Sequence, residues 1–122
     1  MVKKAVFAAL LMVSATYCVH VHAADDLSGD YTVEGTDAEG QGPYTGTLTI
    51  KKAGEVYTMT WVIEKKTAIG AGIVTDNVLS ACWKEGNDIG LVSYKISAGK
   101  LVGQWAELKT DGKIYKESAT KK

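Results

Sequence analysis

From residue 27 onward, apolar and polar positions alternate, and Gly, Asp and Asn break the alternation at short intervals. Successive side chains on a strand point to opposite faces, so alternation of this kind predicts strands, and the interruptions predict turns. In 27–34, Leu27, Gly29, Tyr31 and Val33 share one face, while Ser28, Asp30, Thr32 and Glu34 share the other. A turn-rich stretch runs from Gly35 to Pro43. In 44–51, Tyr44, Gly46, Leu48 and Ile50 oppose Thr45, Thr47, Thr49 and Lys51. In 56–64, Tyr57, Met59, Trp61 and Ile63 form the apolar face, and the other carries β-branched residues suited to a pleated surface.

The second half repeats this grammar. Residues 67–75 are small and apolar with no clear outer face. Strands are predicted at 78–83, 89–96 and 100–106, with 84–88 as a polar loop. Asp111-Gly112 is a hairpin signal leading to a last strand near 113–119. Eight strands joined by short connections predict an all-β, small antiparallel up-and-down barrel. Closure removes the edges that an open sheet exposes.

The first residues follow a different pattern. Lys3 and Lys4 precede the apolar run Ala5 to Val13, and Val21-His22-Ala23 offers a small-x-small cleavage site. Residues 1–23 therefore read as a secretory signal peptide, with 24–122 as a single barrel domain in the periplasm or outside the cell. The run is too short for a spanning helix, which needs about 20 apolar residues, so no stable membrane anchor is expected after cleavage. Cys18 follows Tyr17, where a lipid-modified cysteine would need a small residue.

Charge and composition remove whole classes of function. The chain balances 14 basic against 14 acidic residues and contains no Arg, the side chain that reads phosphates and guanine edges bidentately. Nucleic acid is therefore not an expected partner. Both histidines, His20 and His22, lie in the signal segment, so the domain has no imidazole for a catalytic triad or a metal. Cys82 is its lone cysteine and cannot form an intrachain disulfide or a thiolate zinc site. Gly70-Ala71-Gly72 lacks the third glycine and the following helix of a phosphate loop. The run Glu85 to Asp88 lacks calcium-loop spacing. No catalytic residue, metal site or cofactor is expected, and the domain is not expected to be an enzyme.

The aromatics carry the positive signal. Trp61, Trp83, Trp105, Tyr31, Tyr44, Tyr57 and Tyr94 are large rings with polar tips that need partners when buried. They can pack a barrel core, or they can line a cup at an open end that holds a small apolar or planar ligand.

Gly29-Asp30-Tyr31-Thr32-Val33-Glu34-Gly35, Tyr44 to Ile50, Tyr57 to Trp61, Gly90 to Tyr94 and Gly103-Gln104-Trp105 together resemble a group of small exported bacterial β-domains, some labelled fibronectin-binding. Leu27 to Thr32 and Tyr57 to Trp61 are also similar to strands of avidin, an eight-stranded barrel of the avidin/lipocalin type. That resemblance implies that Trp61, with Trp83, faces a pocket; the later pocket strands and the polar biotin contacts have no match here. The expectation is a non-catalytic domain binding a small molecule through Trp61, Tyr31, Tyr44 and Trp83. The alternative is a module binding an extracellular or periplasmic protein, as an adhesin or hydrolase inhibitor, through loops 35–43 and 84–88.

Overall fold

A computed structural model describes residues 26–36, 42–109 and 111–122. Eight strands follow one another: β1 (Gly29–Thr36), β2 (Pro43–Ala53), β3 (Val56–Ile63), β4 (Lys66–Thr75), β5 (Val78–Glu85), β6 (Asp88–Ser97), β7 (Lys100–Glu107) and β8 (Tyr115–Lys121). Each pairs antiparallel with its neighbour in the chain, and β1 closes on β8 with Val33 opposite Ala119. The result is a closed up-and-down barrel with no helix among the described residues. The signal-peptide segment 1–23 lies outside the described residues, as do 37–41 of the expected first loop.

Tight turns join β2 through β7, at 54–55, 64–65, 76–77, 86–87 and 98–99. The expected loop 84–88 is one of them: Lys84 and Glu85 continue β5, Asp88 begins β6, and the chain reverses at Gly86-Asn87. Asp111 and Gly112 both adopt positive φ, 47° and 72°, within the longer β7–β8 connection.

The alternation maps onto the barrel wall. Val33, Leu48, Ile50, Met59, Leu79, Tyr94, Leu101 and Ala119 point inward and are buried. On β4, whose sequence shows no clear outer face, the small residues Ala68, Gly70 and Gly72 face inward and Ile69 and Ile73 face solvent. The reason is local volume. A Cβ on Gly70 would meet the Cys82 carbonyl and lie 3.0 Å from the Trp61 ring, and one on Gly90 would meet the Trp83 ring. The tryptophans of β3 and β5 thus occupy space that β4 and β6 leave vacant, as close packing of an interior requires.

Candidate aromatic cup

The two ends of the barrel differ. At one end Leu27 is buried across the opening; its carbonyl accepts a hydrogen bond from Tyr31 Oη at 2.8 Å, and its N–H donates to Tyr57 Oη at 3.5 Å. At the other end a cavity of about 100 Å³ opens among Tyr44, Trp61, Ala68, Trp83, Val92 and Trp105, with Glu85, Glu107 and Glu117 also on its wall.

Strand order explains the lining. β3, β5 and β7 contribute Trp61, Trp83 and Trp105, while β4 and β6 between them contribute Ala68, Gly70 and Gly90. Trp83 and Trp105 meet nearly edge to face, with centroids 6.1 Å apart and planes at 75°. Tyr44 adds a third wall, 6.4 Å from Trp105, and Tyr115 backs Trp105 at 4.8 Å. Pairs at such spacings contribute about 0.5–1.5 kcal/mol each beyond their buried area, so the walls are held in place before any ligand arrives.

A hydrogen-bonded network sets the depth of the cup. Glu117, from the first half of β8, is buried. Its Oε1 accepts from Tyr44 Oη at 2.7 Å, and its Oε2 accepts from Tyr94 Oη. Trp61 Nε1 donates to Tyr94 Oη at 3.2 Å. Burial pushes the Glu117 carboxyl above its ordinary range, and the hydrogen bonds from Tyr94, Tyr44 and Trp61 pull it back only in part. Burial, then the neighbouring Glu117 charge, pushes the Tyr94 hydroxyl well above its usual value, so it stays a donor.

Nearer the mouth the acids meet lysines. Lys109 Nζ lies 2.7 Å from Asp88 Oδ2 and 3.9 Å from Glu107 Oε2, and Lys66 Nζ lies 4.0 Å from Glu85 Oε1. Burial raises the Glu107 pKa, and Lys109 opposes the shift. The Trp105 indole N–H is buried with no hydrogen-bond partner among the described residues.

The structure therefore brings together three of the four residues singled out in sequence: Trp61, Tyr44 and Trp83. Tyr31 does not join them. It lies toward the opposite end, where its hydroxyl donates to the Leu27 carbonyl, and with Leu27, Asn77, Ile96 and Lys100 it lines a separate cavity of about 430 Å³. Sequence reasoning missed Glu117, Glu107, Glu85 and Tyr115. The signal that could have found two of them is alternation in the last strand, where Tyr115, Glu117 and Ala119 share the inner face.

No protein-family model matches this chain, and no match was found among curated proteins. Among solved structures, the chain is similar to that of a protein described as REP1-NXSQ fatty acid transporter. The two share 16% identity, with a TM-score of 0.55, over 81% of this chain and 98% of that one. At this identity the likeness concerns the barrel fold. It lends no support to the fibronectin-binding or avidin resemblance.

Proposed function

We propose that this chain is an exported, non-catalytic binding domain whose aromatic cup holds a small ligand. The observation that carries the reading is the convergence of Trp61, Trp83, Trp105 and Tyr44 around one cavity at one end of the barrel, an aromatic lining that the cavity at the Leu27 end lacks apart from Tyr31. A concave site lined by aromatics with a few placed polar groups is the usual form of a small-molecule pocket. The Trp105 N–H supports the same reading, since a buried donor is normally satisfied and a ligand acceptor would satisfy it. Binding is favoured over catalysis because both oxygens of Glu117 are engaged by tyrosine hydroxyls.

The cup, at about 100 Å³, is smaller than the roughly 300 Å³ at which drug-sized sites begin, so it suits one ring or one compact head group. A fatty acid, the ligand class named for the similar structure, would bring its carboxylate toward Glu85, Glu107 and Glu117 in a chain without Arg. A thermal-shift screen of single-ring and compact compounds tests the reading. A ligand at a hundredfold excess over its Kd should stabilise the fold by about 2.7 kcal/mol, and Trp83→Leu should abolish the shift. Hits insensitive to Trp83→Leu would contradict it. Export rests on the signal-like residues 1–23, and an intact mass for the exported protein that does not begin near Ala24 would contradict that cleavage.

A second reading has its own observation. Ile69, Ile73 and Leu91, respectively 60%, 54% and 67% exposed, lie on the outer wall of β4 and β6, and Ala71, Cys82 and Leu91 form a row across the wall. Contiguous exposed apolar surface, where it extends beyond a few hundred Å², is a feature of protein-binding faces. On this reading the partner is an extracellular or periplasmic protein met by the wall rather than by a loop at 84–88. Leu91→Lys should then abolish partner capture while leaving ligand shifts at the cup unchanged; retained capture would count against it.

A further inference from the structure

We infer that the cup selects a small organic cation, an amine or quaternary ammonium group that also carries an oxygen acceptor for the Trp105 N–H, over neutral and anionic ligands of the same shape. The inference rests on reading the cup as a ligand site and assigns the chemistry of what enters it. Among the described residues, three kinds of group line the cavity, aromatic rings, aliphatic side chains and carboxylates, and no lysine is among them. A cation against an aromatic ring is attracted by the ring quadrupole, with Trp the best partner and a reach of about 6 Å from the centroid. Trp83 and Trp105 stand 6.1 Å apart at 75°, so a compact cation in their corner touches both.

The carboxylates add a field of the same sign. The lysines sit at the mouth, where Lys66 and Lys109 approach Glu85 and Glu107 at 4.0 and 3.9 Å. Glu117 lies deeper, and among the described residues no ion pair reaches it; its hydrogen-bond donors are neutral tyrosines. When ionised, Glu117 therefore places a negative charge with no ion-pair partner among the described residues at the buried inner end of the cup. Charge buried in this way acts over several ångströms with little screening. The small volume also favours a head group of a few heavy atoms over a chain.

The direct test compares choline with its neutral isostere 3,3-dimethylbutan-1-ol and with the anion pivalate. All three are titrated to millimolar concentration into the labelled full domain, and the three indole N–H resonances are followed. Choline is expected to bind at least about tenfold more tightly than the alcohol, and pivalate not at all. Glu117→Gln, which keeps acceptor and shape but cannot ionise, is expected to weaken choline several-fold and leave the alcohol unchanged, a difference that a merely structural effect would not produce. Equal affinities for choline and the alcohol would overturn the inference and leave the cup as a ligand site. An absence of any indole shift with all three compounds would overturn the inference and the cup reading together. Preferential binding of pivalate would overturn the charge argument alone.

Discussion

Tyr94, from the middle of β6, donates its hydroxyl hydrogen to Glu117 on β8, joining two non-adjacent strands across the barrel interior. The same hydroxyl accepts from Trp61 Nε1, so a ring at the base of the cup is tied to the buried carboxylate through one oxygen. Hydrogen bonds to a charged acceptor contribute about 1.5–3 kcal/mol each, against a desolvation cost of comparable size for the carboxylate. The base of the cup is thus a polar cluster whose members are satisfied by one another.

Replacing Glu117 by Gln should change how stability depends on pH. The folded-state pKa of Glu117 is raised, so the folded protein holds this proton more tightly than the unfolded chain does. Its contribution is fully favourable below the unfolded value, about 4.3, and is lost as pH rises from there through the folded value. Gln does not titrate, and Glu107 is common to both proteins. The stability of the parent relative to Glu117→Gln should therefore fall as pH is raised from about 4 to about 7. Denaturant midpoints at the two pH values check this. A relative gain by the parent would mean that the tyrosine hydrogen bonds outweigh burial.

Gly46→Val should destabilise the barrel far more than Thr47→Val. A Cβ at Gly46 would meet the Val62 carbonyl and lie 2.7 Å from Ile63 Cγ1, so the larger side chain overpacks the wall at a cost of about 1–3 kcal/mol. Thr47 faces the other way, and a change there should stay within about 0.5 kcal/mol. Equal denaturation midpoints for the two variants would contradict this assignment of the inner face of β2.

The strands are legible in the sequence because alternation and turn residues agree through most of the chain. They are less legible in β4, where the inner face is small because Trp61 and Met59 fill the space it leaves, a fact of neighbouring strands. The reversal at Gly86-Asn87 is tighter than composition suggests, because the charged ends of β5 and β6 look like loop. For the cup, alternation places Trp61, Tyr44 and Tyr31 inside. It does not say which end each occupies, because that depends on register around the barrel, and Tyr31 falls toward the end where Leu27 lies. Glu117 is invisible for another reason. Acids are almost never fully buried unless paired, and its partners Tyr44 and Tyr94 are 73 and 23 residues away in sequence.

On this account ligand enters at the end ringed by the three tryptophans and nowhere else. Mapping amide and indole chemical shifts across the whole domain during titration with a screened ligand tests it most directly. Shifts are expected at Trp61, Trp83, Trp105 and Tyr44, with Leu27, Tyr31 and the outer residues Ile69 and Leu91 unmoved. Shifts confined to Leu27 and Tyr31, or to the outer wall, would contradict it.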